Sequence, residues 1–241
     1  MKTIAILFAA ISLSTMTAAA QNKVGEFSLK PMIGINVSDL SSDEEVNYKA
    51  KVGFTEGMEA EYGVTPWLGV SLGAMYSQQG AKIDAIIPFL GGVTSGGHKI
   101  VSKAQLKGKL KADYINVPLL ANYYVWKGLS IKAGIQVGFL TSSYISRTAT
   151  YVGIEVTDPD NNVEYTDLAH LGIDISEWSI ERSDICKSVV LGIPVGISYE
   201  YKNITLDARY YFGLTRMDDF GDDVAAHNRC LSITLGYKFK L

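Results

Sequence analysis

Apolar and polar side chains alternate without a break along LSITLGYKFKL, residues 231–241. Leu231, Ile233, Leu235, Tyr237, Phe239 and Leu241 fall on one side; Ser232, Thr234, Gly236, Lys238 and Lys240 fall on the other. A period of two marks a strand with one greasy and one wet face. The period recurs at 26–38, 51–63, 67–79, 109–124, 128–141, 187–201 and 203–213. The stretch at 128–141 is very clean, setting Leu129, Ile131, Ala133, Ile135, Val137 and Phe139 against Ser130, Lys132, Gly134, Gln136 and Gly138. The pattern predicts an all-β chain of eight antiparallel strands. What remains open is which solvent the greasy face meets, a protein core or lipid.

The connections predicted between these strands alternate in length. Short turns are expected around Val64–Pro66, at 125–128 and at Tyr201–Asn203. Long connections are expected at about 39–50, 80–108, 142–186 and 214–228. Short turns at one end and long loops at the other are what an outer-membrane barrel shows, and an even strand number puts both termini at the short-turn, periplasmic end.

The opposite face carries Lys30, Glu59, Glu61, Lys132, Glu200, Asp207, Arg209 and Lys238. In a soluble barrel these charges would face water. In a barrel set in lipid they point into the lumen and must pair there. Both signs are present in equal number, as pairing requires. Tyr62, Trp67, Tyr123, Trp126, Tyr199 and Tyr237 lie near the short turns, and Tyr76, Phe139 and Phe212 near the opposite strand ends. Two aromatic belts separated by aliphatic residues suit the two interfaces of a bilayer. The lipid reading is therefore preferred over a soluble exported ligand-binding β-barrel. Eight strands enclose a space that side chains fill, so no open channel is expected.

The first residues, MKTIAILFAAISLSTMTAAAQNK, have a lysine, a short apolar run and the small residues Ala18, Ala19 and Ala20. This pattern is that of a signal peptide covering 1–20, with cleavage before Gln21. The barrel domain then takes 21–241. The net charge of −3 offers no basic surface for nucleic acid. Cys186 and Cys230 are the two cysteines; in an exported chain they either pair or stay free.

The stretches GFTEGMEAEYGVTPWLGVSLGAMYSQQGAK at 53–82 and DYINVPLLANYYVWKGLSIKAGIQVGFLTS at 113–142 have a family look. So do VVLGIPVGISYEYKNITLDARYYFGLT at 189–215 and HNRCLSITLGYKF at 227–239. In order and spacing they resemble the outer-membrane β-barrel domain family common in Bacteroidetes, often labelled PorT-like. The resemblance implies an outer-membrane barrel. It supplies no catalytic residues, and the role of one relative in assembling a secretion apparatus does not transfer with the fold. The long connection at 142–186 and the two cysteines depart from that pattern.

Chemistry would need the loop histidines His98, His170 and His227 to converge with carboxylates such as Asp167, Asp174, Glu177, Asp218, Asp219, Asp222 and Asp223. Solvated loop residues are the preferred reading of this set, and neither TDPDNN at 157–162 nor RMDDFGDD at 216–223 has the spacing of a calcium loop. The apolar series Tyr165, Leu168, Leu171, Ile173, Ile175, Trp178 and Ile180 predicts a short helix or extra hairpin that caps the lumen or meets a partner. The expectation is a small structural or surface-binding barrel in the cell outer membrane, without catalysis, cofactor or metal. Its partners would be outer-membrane lipid and lipopolysaccharide, plus an unidentified protein or ligand at the outward loops. The alternative is an outer-membrane enzyme with a site at the rim.

Overall fold

The computed structural model describes residues 24–42, 48–95, 98–158, 160, 162–167, 178–183, 186–217 and 226–241. The expected leader at 1–20 lies outside the described residues. Among the described residues eleven strand segments form: β1 (Phe27–Ser42), β2 (Tyr48–Thr65), β3 (Leu68–Ser95), β4 (His98–Trp126), β5 (Leu129–Thr157), β6 (Val163–Asp167), β7 (Trp178–Ser183), β8 (Val189–Tyr201), β9 (Ile204–Arg216), β10 (Ala226–Tyr237) and β11 (Phe239–Lys240). Pairing runs β1–β2–β3–β4–β5–β8–β9–β10 and returns from β10 to β1. Every pairing is antiparallel, so the sheet closes on itself as a barrel and leaves this ring no free edge. β11 continues β10 along β1, while β6 and β7 pair with the far half of β5.

The tight turns share one rim with the start of β1 and the end of β11. Lys202 and Asn203, between β8 and β9, both take positive φ, 48° and 70°. That pair of left-handed residues matches the twist of a two-residue hairpin. Gly128 closes the β4–β5 turn at φ 79°, where a Cβ would sit 2.3 Å from the Glu200 carbonyl oxygen. The Leu241 amide donates to the Phe27 carbonyl at 2.9 Å and ties the two ends of the ring together.

The greasy face looks outward. Ile135 is 60% exposed, Leu235 53%, Leu72 56% and Ile197 56%. Their inward neighbours Lys132, Asp207 and Glu59 are 2%, 1% and 1% exposed. Aromatic side chains edge this band. Trp67 meets Tyr123 edge-on at 5.6 Å near the turns, and Tyr210 meets Phe212 at 4.6 Å toward the other end. An outside this oily and an inside this polar is stable only when hydrocarbon surrounds the barrel.

The strands overrun their expected ends. Most of 80–108, expected as a loop, is a continuation of the β3–β4 hairpin, and much of 142–186 is β5, β6 and β7. The reason is a change of phase. In the membrane part of β4, Ile115, Leu119 and Tyr123 point out while Asn116 and Asn122 point in. Beyond Asp113 the outward positions are Lys111, Lys109 and Lys107, and Leu110 and Ala112 are buried inside. The period of two persists, but the outer solvent changes from lipid to water, so the apolar parity switches.

Charging the outward face tests its surroundings directly. Ile135→Arg should cost about 2–4 kcal/mol in reversible unfolding from vesicles, the range for a cation near the bilayer midplane. A loss under 0.5 kcal/mol would mean that Ile135 does not face lipid.

Candidate functional site: an ion-paired lumen

The eight charged residues singled out in the sequence all project into the barrel. The structure divides them into two adjoining layers. In the first, Glu59 of β2 accepts from Lys30 of β1 at 2.8 Å and from Lys132 of β5 at 2.8 Å. Its other oxygen accepts from Arg209 of β9. Asp207 binds Lys132 at 2.9 Å and both Nε and Nη2 of Arg209 at 2.5 and 3.0 Å. In the second, Lys238 lies 3.6 Å from Glu61, 3.4 Å from Glu200 and 3.1 Å from the Tyr124 hydroxyl. That hydroxyl in turn donates to Glu61. Lys240 at the rim extends the chain to Glu200 and Glu26.

Strand geometry brings these groups together. Glu59 and Glu61 are two residues apart on β2, as are Asp207 and Arg209 on β9, so each pair shares the inward face. Lys30 lies directly opposite Glu59 in the β1–β2 register. The barrel then carries β5 and β9 across the lumen from β2. Lys30, Lys132, Arg209 and Lys238 balance Glu59, Glu61, Asp207 and Glu200, four charges against four. Among ions removed from water, only this kind of mutual pairing offsets the cost of desolvation. Small neighbours make room: a Cβ on Gly196 would come within 2.9 Å of Arg209 Cγ.

Above the ions the lumen is filled mainly by uncharged polar groups, joined by one further cation that the sequence reading missed, the buried Lys51, which donates to the Gln79 carbonyl at 2.7 Å. Asn36 donates to the Ser77 hydroxyl at 2.7 Å, Gln79 donates to the same hydroxyl at 3.0 Å, and Asn228 donates to Gln79. A cavity of about 40 Å³ lies between, lined in part by Asn116, Gln136, Arg209, Tyr211 and Cys230. That volume suits water, not a solute. At the outer end Leu40, Ile83, Leu110, Tyr114, Ile145, Val190 and Met217 pack into an apolar cluster inside the barrel.

This apolar closure was missed in the sequence because its members stood in expected loops or on strand faces read as polar. The expected cap at 165–180 meets β6 and β7 at its ends, while 168–177 lies outside the described residues. Among the described residues, the closure comes from the barrel strands and their outer ends.

Cys186 and Cys230 are both buried, and no disulfide joins them. Cys186 belongs to the apolar cluster, and Cys230 lies 3.7 Å from the Ser232 hydroxyl. His98 begins β4 and His227 sits in β10; His170, Asp174, Glu177, Asp218, Asp219, Asp222 and Asp223 lie outside the described residues. Among the described residues no three His, Cys, Asp or Glu side chains gather as a metal site. Asp158, in the TDPDNN stretch, accepts from the Asn162 amide at 2.8 Å and its side chain at 2.9 Å. These bonds hold its carboxyl below the ordinary value and fasten the β5–β6 turn.

The charge count ranks two substitutions. In the first layer three cations meet two carboxylates, so Glu59→Leu leaves three cations around Asp207 alone. It should cost about 3–5 kcal/mol in vesicle unfolding, as breaking a buried pair does. Arg209→Leu leaves that layer balanced and should cost less, while still lowering the unfolding temperature. An equal or reversed order would contradict the pairing described.

Comparison with known proteins agrees with this architecture. The model of the outer membrane protein beta-barrel domain matches residues 19–219. No curated protein matches. Among solved structures, the attachment invasion locus protein Ail of Yersinia pestis is similar at 17% identity and TM-score 0.43, covering 90% of this chain and 100% of that one. Neisserial surface protein A is similar at 14% identity and TM-score 0.41, over 88% of this chain and 97% of its own. OprG of Pseudomonas aeruginosa is similar at 14% identity and TM-score 0.39, over 90% and 97%. These distant likenesses add nothing to the assignment, which rests on the family match and the lipid-facing surface. The chain is a protein of the outer membrane and belongs to the outer membrane protein β-barrel domain family.

Proposed function

We propose that the chain is an eight-stranded barrel of structural or surface-binding type that neither conducts solutes nor catalyses a reaction. The observation that carries this reading is the filled lumen. Ion pairs, an amide and hydroxyl layer and an apolar cluster follow one another along the axis, and the cavity between them is about 40 Å³. A filled barrel leaves the outer surface for work. The β3–β4 hairpin, through Ser95 and His98, and the far half of β5 stand beyond the aromatic belt and supply that surface.

The tight turns then face the periplasm and the hairpin faces the cell exterior. The first 20 residues are a leader removed on export. Within the family, the stretches at 53–82, 113–142, 189–215 and 227–239 favour the PorT-like members. A part in secretion does not follow from that likeness.

Planar-bilayer recording is the central test, and the purified barrel should give no stable single-channel conductance. Steady conductance steps from the folded chain would overturn the closed reading. An epitope placed between Ser95 and His98 should be detected on intact cells; detection only after outer-membrane rupture would reverse the orientation. Mass spectrometry of the exported chain should find Gln21 at its start.

A further inference from the structure

Beyond the aromatic belt, the outer face of the hairpin carries an unusual concentration of lysine. Lys49 of β2 lies directly opposite Lys82 of β3, and Lys82 lies directly opposite Lys109 of β4. Lys107 and Lys111 flank Lys109 on the same face. All five are exposed. Directly opposed side chains on a sheet stand roughly 5 Å apart at Cβ, and like charges so placed repel. Carboxylates relieve only part of this. Lys49 binds Asp84 at 2.6 Å, and Asp84 is also the register partner of Lys107. Asp113 stands two residues from Lys111 on the same outward parity. Among the described side chains, five cations therefore meet two carboxylates here. Farther out the balance returns, where Lys103 pairs with Glu155 at 2.9 Å.

The position of the patch indicates what supplies the missing negative charge. It continues the lipid-facing side of the same strands. Lys111 is four residues beyond Ile115 on β4, and Lys82 is six beyond Tyr76 on β3. With the usual rise and tilt, Lys111 to Lys107 stand roughly 10–20 Å above the aromatic belt. Lysine stems reach several ångströms further toward the membrane. The layer met there is the sugar layer of lipopolysaccharide, which bears phosphate and carboxylate. From the opposed lysines and this height we infer that Lys49, Lys82, Lys107, Lys109 and Lys111 form a docking face for that anionic layer. The partner lies beside the barrel rather than at the hairpin tip. The face anchors the β3–β4 extension to the outer leaflet. It rests on the orientation proposed above, which the surface epitope tests separately.

The experiment is titration of the folded mature barrel in detergent with purified lipopolysaccharide. Phosphatidylcholine vesicles with and without phosphatidylglycerol serve as comparison. The unmodified chain should bind lipopolysaccharide, more weakly at high salt, and bind the phosphatidylglycerol vesicles less tightly. K82Q/K109Q should lower the affinity roughly 25-fold, about fivefold for each lysine. K127Q/K202Q, at the turn end, should stay within twofold. Equal losses in the two variants, a patch variant within twofold of the unmodified chain, or equally tight phosphatidylglycerol binding would overturn the inference. If K82Q/K109Q fails to fold, amine-reactive labelling of the unmodified chain gives the answer. Lipopolysaccharide should protect Lys82 and Lys109 and leave Lys127 and Lys202 reactive; unprotected Lys82 and Lys109 would overturn it.

Discussion

An ion inside a lipid-embedded cylinder has lost its bulk water and can only be solvated by other protein groups. This constraint organises the barrel. Glu59 is the shared partner of Lys30, Lys132 and Arg209, which come from three other strands. Asp207 holds Lys132 and Arg209 a second time. A strand slipped by one residue would turn these charges into hydrocarbon and bring Ile131, Ala133 and Leu206 inside. The pairing thus opposes register errors from within, as the apolar face does from without.

The lumen is graded along its axis. Ion pairs lie in the half nearer the turns, amides and hydroxyls in the middle, and an apolar cluster at the outer end. The apolar cluster sits where water surrounds the barrel, so there the molecule is built like an ordinary soluble sheet, oily inside and charged outside. Within the bilayer it is built the other way round. One continuous strand such as β4 serves both regimes because its pleat never breaks. Only the meaning of inside and outside changes.

Much of this was legible in the chain. The membrane parts of the ring strands were found because their alternation is clean and their outward residues are nearly all aliphatic or aromatic. The eight lumen charges were found because each interrupts the polar side of such a stretch. The far half of β3, β4 and β5 was not, because the parity of lysines and leucines there is opposite to that of the membrane part. A reader tracking one apolar face loses the strand at Asp113.

The sequence by itself determined that strands alternate, which faces are greasy, where the tight turns fall and that the polar face carries balanced charge. These are local properties, set by a pleat of period two and by turn residues such as Asn203 and Gly128. Only the tertiary structure decided who meets whom. It joined Glu59 to Arg209 across 150 positions of chain, left Cys186 and Cys230 without a disulfide between them, and set Lys49, Lys82 and Lys109 abreast. Those choices depend on closure of the sheet, which fixes distances between strands that the sequence leaves free.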